Sequence, residues 1–298
     1  MRNKICWNDG WRFFRKDQPA ADTLAAGEAV TLPHTWNAKD SQDGGNDYYR
    51  GTCWYAKRFA KPELAAGEQL WLEFEGAAMT AEVYLNGQKL ARHEGGYSTF
   101  RVELTPLLAE GDNLLTVSVD NGKNRTVYPQ KADFTFYGGL YRDVNLLTVP
   151  AAHFCLSYHG GPGVKVTPTV DLDARSASVT VEAWVDGPAE QVTFSTAGQT
   201  IEAPVQDGCA KAVFAIENVR LWDSVEDPYL YTVTASLDSG DSISARYGCR
   251  TIGFDADKGF LLNGRPYRLC GAARHQDRQG LGSALTKKEH EEDRKSVV

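Results

Sequence analysis

Short runs in which apolar and polar residues strictly alternate, broken by turn signals roughly every eight to twelve residues, constrain this chain more than any other feature. In EQLWLEFEG, Leu70, Leu72 and Phe74 fall on one face while Trp71, Glu73 and Glu75 fall on the other. That is the pattern of a half-buried strand. In AEVYLNGQKL, Val83 and Leu85 alternate into Asn86-Gly87, a pair that accepts the positive φ values of a type I′ hairpin turn. NLLTVSVDN repeats the alternation with Leu115, Val117 and Val119, and YRDVNLLTV, Tyr141 to Val149, reads as the last strand of a first unit.

Pro150 and the HGGPG run at 159–163 mark a boundary, because proline and glycine together break strand ladders. A second series follows: VKVTPTV, SASVTVEAWVD with Val179, Val181, Ala183 and Val185 on one face, KAVFAIENV and LYTVTASLD. This spacing suits an immunoglobulin-like sandwich, whereas the first unit, longer and richer in loops, suits a jelly roll. A chain of 298 residues has room for both and a remnant. The one convincing helix signal comes at the end, where Thr286 caps LTKKEHEED and Glu289 stands three positions on as its capping-box partner.

A hydrophobic share of 42% and a charged share of 24% describe a globular rather than a disordered chain. A net charge of −7 with no basic cluster argues against nucleic acid or an anionic membrane as partner. MRNKICWNDGWRFFRKDQ contains no apolar run of signal-peptide length and no membrane-spanning stretch follows, so a cytoplasmic setting is expected. Cysteines 6, 53, 155, 209, 249 and 270 form no CxxC pair and read as reduced thiols packed as small hydrophobes. The six histidines show neither HxxxH nor HExxH spacing, so no metal site is expected from this chain alone.

VTLPHTWNAKDSQDGGNDYYRGTCWYAKRF (30–59), the AEVYLNGQKL hairpin and DFTFYGGLYRDVNLL (133–147) resemble the sugar-binding amino-terminal domain of glycoside hydrolase family 2, which contains β-galactosidases, β-glucuronidases and β-mannosidases. RLWDSVEDPYLYTVTASL and YGCRTIGF resemble its immunoglobulin-like second domain, and GFLLNGRPYRLCGAARHQD is similar to the start of its catalytic (β/α)₈ barrel. The resemblance implies an all-β chain: a jelly-roll, galactose-binding-like sandwich over 1–150, an immunoglobulin-like sandwich over 151–252, and the truncated start of the barrel over 253–298. Residue by residue, PHTW also reads as a strand-end turn with a packed Trp36, LLNGRPYRL as a hairpin turning at Asn263-Gly264, and RDV as a structural Arg142–Asp143 pair.

Retaining hydrolysis needs two carboxyl groups about 5–5.5 Å apart, one an acid and one a nucleophile. In the family the acid directly follows an Asn, and this sequence contains no Asn-Glu pair, so no catalytic residue is assigned. A barrel takes ~250 residues, and only 254–298 follow Gly253, so room remains for a first strand and the beginning of a helix. The expectation is an inactive amino-terminal portion of a β-glycosidase, closest to the β-galactosidase branch.

The resemblance carries four substrate-binding positions: Asp133, matching a first-domain aspartate that reaches the active site; His275 in ARHQD, matching a barrel histidine of the sugar subsite; and Asn46 and Asp47 in the glycine-rich loop GGNDYYRG. On their own, Asp133 reads as a turn residue and His275 as a structural histidine. Trp36, Tyr48, Tyr49, Trp54 and Tyr137 offer ring faces to a pyranose or pack in the core. The implied partner is a β-galactoside-like carbohydrate, with homo-oligomerisation open and no cofactor in this portion; the family's divalent or monovalent metals belong to the whole enzyme. A second reading makes the chain a stand-alone carbohydrate-binding module, and a third makes its sandwiches oligomer contacts.

Overall fold

Leu70, Leu72 and Phe74 are completely buried, as are Val83, Leu85, Leu115, Val117 and Val119. The alternating runs therefore put their apolar faces into one core, each such side chain contributing about 1.5–3 kcal/mol by leaving water. The computed structural model describes residues 1–40 and 48–297. The chain divides into two compact units, one of Asn3–Thr148 with Arg274–Val298 and another of Met1–Arg2 with Val149–Ala273.

In the first unit the strands are β1 (Asn3–Cys6), β2 (Trp11–Phe14), β3 (Glu28–Val30), β4 (Thr52–Ala60), β5 (Gln69–Phe74), β6 (Thr80–Leu85), β7 (Gln88–Glu94), β8 (Phe100–Glu103), β9 (Asp112–Asp120) and β10 (Val144–Val149). They form a six-stranded sheet, β3-β2-β4-β9-β6-β7, and a four-stranded sheet, β1-β10-β5-β8. The longest pairing runs antiparallel from Thr52 opposite Asp120 to Ala60 opposite Asp112. Asn86 and Gly87, at φ 52° and 81°, turn β6 into β7 as the Asn-Gly signal requires. Trp11, Trp36, Tyr55 and Leu140 complete the core between the sheets.

Glu73 departs from the expected alternation. It lies on the face assigned to solvent yet is buried, because Lys4 and Arg101 close over it at 2.7 and 2.6 Å. Burial alone would raise its carboxyl, but these two cations bring it below its ordinary value. Arg142 and Asp143 also differ from expectation, since they do not pair with each other. The Arg142 guanidinium donates to the carbonyls of Glu75 and Tyr97, while Asp143 accepts from Asn8.

The second unit contains β11 (His153–Phe154), β12 (Val164–Asp171), β13 (Ser176–Asp186), β14 (Gln191–Thr196), β15 (Gln199–Pro204), β16 (Cys209–Glu217), β17 (Tyr231–Ser236) and β18 (Ser242–Tyr247). One sheet joins β11, β12 and β16 to β13, and the other runs β15-β14-β17-β18. Val179, Val181, Ala183, Phe194 and Phe214 are fully buried between them. Arg2 pairs at 2.9 Å with the buried Asp241, which also accepts from the Phe154 N–H.

The segment after 250 opens with a small sheet of β19 (Ile252–Asp255), β20 (Gly259–Leu262) and β21 (Arg265–Pro266), turned at Asn263-Gly264 with φ 50° and 73°. Residues 267–277 form no strand, which is consistent with a strand's need for a neighbour to satisfy its backbone groups. The helix α1 (Lys287–Val297) starts where the capping signal placed it, with the Thr286 N–H donating to the Glu289 carboxylate at 2.8 Å. All six cysteines are free thiols. Cys53 and Cys249 are packed as expected, and burial pushes them up to about 12 and about 11, whereas Cys6 and Cys270 are exposed.

Candidate functional site

The loop from β9 to β10, residues 121–143, carries Asp133. Its base is fixed by two completely buried asparagines, Asn37 after the PHTW turn and Asn121 at the end of β9. Asn121 Nδ2 donates to the Phe136 carbonyl at 2.8 Å and to Asn37 Oδ1 at 3.1 Å. Asn37 Oδ1 also accepts the Gly138 N–H at 2.8 Å, and its Nδ2 donates to the Tyr49 carbonyl at 3.0 Å. The Phe136 N–H donates to the Tyr48 hydroxyl at 3.0 Å, and Arg50 lies over the Phe136 ring at 4.6 Å.

Close packing explains the two glycines of FYGG. A Cβ on Gly138 would stand 2.0 Å from the Trp36 ring, and one on Gly139 would stand 2.3 Å from the His34 carbonyl. Beneath them, His34 Nδ1 and the Tyr55 hydroxyl share a hydrogen bond of 2.8 Å. Burial lowers the His34 imidazole to about 4, so it is neutral at neutral pH.

The segment after Ala273 seats on the same loop. The Tyr137 hydroxyl donates to Asp277 Oδ2 at 3.0 Å. Gly282 packs closely against the Tyr137 ring, which a Cβ there would approach to 2.7 Å. Arg274 pairs with Asp293 and Arg278 with Glu292, the latter at 2.7 Å, so the segment is braced against α1.

Asp133 is exposed in the first loop, and His275 is exposed two residues before Asp277 in the second segment. The structure thus joins the two chain segments that carry them through Tyr137 and Asp277. Asn46 and Asp47 lie outside the described residues. Of the aromatics, Trp36 is buried core, Tyr48 and Tyr49 are half-buried, and Trp54 is half-buried on the opposite, outward face of its strand from Tyr55. Among the described residues, no three His, Cys, Asp or Glu side chains gather as a metal site would require.

The family profile described as "Glycosyl hydrolases family 2, sugar binding domain" matches residues 20–150, and that described as "Glycosyl hydrolases family 2" matches 162–254. The chain belongs to glycosyl hydrolase family 2. A beta-glucuronidase of Bacteroides fragilis is 36% identical over 98% of this chain and 44% of its own length. A beta-galactosidase of Bacteroides ovatus is 30% identical over 95% of this chain and 36% of its own length. Among solved structures, an FMN-binding beta-glucuronidase from Facaelibacterium prausnitzii L2-6 superposes with a TM-score of 0.88 at 40% identity, over all of this chain and 47% of that one. A Bacteroides uniformis beta-glucuronidase superposes with a TM-score of 0.90 at 32% identity, over 98% and 38%. The chain spans less than half the length of these family 2 relatives.

The buried Asn37–Asn121 pair and the Tyr137–Asp277 bond were not evident from sequence. Their partners lie 84 and 140 residues apart, and no local period connects them.

Proposed function

We propose that this chain is the amino-terminal portion of a retaining family 2 β-glycosidase and that it supplies substrate contacts to a site whose two carboxyl groups come from the catalytic barrel. The observation that carries the reading is the Tyr137–Asp277 hydrogen bond at 3.0 Å. It ties the loop bearing Asp133 to the segment bearing His275, the two positions that the family resemblance assigns to sugar contact. In this role Asp133 accepts hydrogen bonds from sugar hydroxyls, a charge-assisted and directional form of recognition. His275 donates to a hydroxyl whose charge changes as the oxocarbenium-like transition state forms. Asn46 and Asp47 add contacts from the glycine-rich loop.

A β-glucuronide is the first substrate to test, because the Bacteroides fragilis and Facaelibacterium prausnitzii relatives are named for it. A β-galactoside is the second, favoured by Asp133 and by the Bacteroides ovatus relative. The test is to join residues 1–298 to the remaining part of the Bacteroides fragilis relative and to assay chromogenic β-glucuronide and β-galactoside hydrolysis beside the 298-residue chain. Turnover by the joined protein alone, with Asp133→Asn lowering kcat/KM about tenfold or more, is the expected result. Hydrolysis by the 298-residue chain, or an unchanged kcat/KM in Asp133→Asn, would overturn the proposal.

A further inference from the structure

The outer face of the six-stranded sheet carries a cleft of about 630 Å³, within the range of small-ligand sites of about 300–1,000 Å³. Asp133, Tyr137 and His275 do not line it. Its floor follows from strand register: Trp54 stands opposite Ser118, Ser118 opposite Glu82, and Glu82 opposite Arg92. Because Cys53, Tyr55, Val83, Val117 and Val119 point into the core, the alternating residues Trp54, Ser118 and Glu82 face outward. The loop after β9 forms the wall, with Lys123, Asn124 and Arg125.

The polar groups of the floor are held in place before any ligand arrives. Asp120 accepts from the Thr52 hydroxyl at 2.5 Å and from the Gly122 N–H at 2.6 Å. Glu82 accepts from Lys89 at 2.6 Å, Arg92 at 2.9 Å and the Tyr84 hydroxyl at 2.5 Å. The Lys89 and Tyr84 hydrogen bonds lead in lowering its carboxyl to about 2. Glu94 accepts from Arg92 at 2.6 Å and from Thr126 at 2.9 Å. Asn124 Nδ2 donates to the Thr80 hydroxyl at 3.1 Å, which pins the wall to the floor. The acidic side chains are thus already engaged by donors of the sheet and wall, while Lys123 and Arg125 present exposed cationic donors above them.

An aromatic side chain in a sheet floor, ringed by fixed hydrogen-bonding groups, suits a ring with one apolar CH face and a polar edge, which is the amphipathic form of a pyranose. Cations on one wall add affinity for a carboxylate on that edge. We propose that this cleft binds an acidic oligosaccharide, one pyranose packing on Trp54 and a uronate carboxylate reaching Lys123 and Arg125. The site is separate from the catalytic reading and does not depend on it.

The test is titration of the 298-residue chain with a uronate trisaccharide and with its neutral counterpart, read by calorimetry and by the Trp54 indole N–H resonance. Binding of the uronate at about millimolar Kd or tighter is expected. Trp54→Ala is expected to weaken it about tenfold, while Trp54→Phe, which keeps an aromatic face, retains most of it. The pair Lys123→Gln and Arg125→Gln is expected to remove both the preference over the neutral sugar and the salt dependence. Circular dichroism of each variant separates lost binding from lost folding. No binding at about 10 mM sugar, equal binding of the neutral trisaccharide, or an unchanged Kd in folded Trp54→Ala would each overturn the proposal.

Discussion

The Tyr137 hydroxyl donates to the Asp277 carboxylate at 3.0 Å, and the Tyr137 ring packs closely against Gly282. One aromatic residue of the β9–β10 loop therefore holds a segment 140 residues further along the chain by a polar contact at its tip and close packing at its ring. Tyr137→Phe keeps the packing and removes the tip. It is expected to cost about 0.5–1.5 kcal/mol and to speed amide exchange across 275–285 without altering the core strands. Exchange mass spectrometry checks this, and uniform protection in the variant would show that packing alone seats the segment.

Asn37 uses both ends of its amide inside the protein. Removing it leaves the Gly138 N–H without that acceptor and deprives Asn121 and the Tyr49 carbonyl of a partner. Buried polar groups left unsatisfied cost about 1–3 kcal/mol each, so Asn37→Ala is expected to lose about 3 kcal/mol in urea unfolding. The 133–139 backbone should exchange faster before the rest of the sheet does. A loss below about 0.5 kcal/mol would mean that water takes over these bonds.

The strands were legible because alternation is a local property: Leu115, Val117 and Val119 announce a buried face whatever covers it. Both Asn-Gly turns were legible for the same reason, since positive φ is a demand on two adjacent residues. What covers the other face was not legible. Glu73 reads as a solvent-facing residue until Lys4 and Arg101 arrive from β1 and β8. Asp133 and His275 were reached through family resemblance alone, for spacing gives no reason to connect a turn aspartate with a histidine so far along the chain. The outer cleft was hidden because its residues come from four strands and a loop, each read separately as an ordinary polar face.

The buried ion pair at Glu73 offers a test of cover against charge. Arg101 is only 10% exposed, so replacing Glu73 takes a close carboxylate from a guanidinium that is largely shielded from water. Glu73→Leu is expected to cost about 3 kcal/mol, whereas Glu73→Leu with Arg101→Met should recover most of that loss. A double-mutant cycle by chemical denaturation measures the coupling. Equal losses in the single and double variants would assign the stability to side-chain packing rather than to the pair.

His34 gives the fold a defined acid sensitivity. Burial lowers its imidazole from an ordinary 6.5 to about 4. Between those values the unfolded chain binds a proton that the folded chain does not, so stability falls as pH falls. The contribution is complete above about pH 6.5 and is lost progressively down to about pH 4; it amounts to at most about 3 kcal/mol, at 1.36 kcal/mol per pH unit. His34→Gln keeps a polar partner for the Tyr55 hydroxyl but does not titrate in this range. Its unfolding free energy should therefore decline less steeply than that of the unaltered chain between pH 6.5 and 4, so that the gap between the two curves changes by up to about 3 kcal/mol across this range. Because the carboxylates titrate in both proteins, the difference between the curves isolates the imidazole. Parallel curves would mean that the imidazole titrates in the fold as it does in the unfolded chain, and that burial does not lower it.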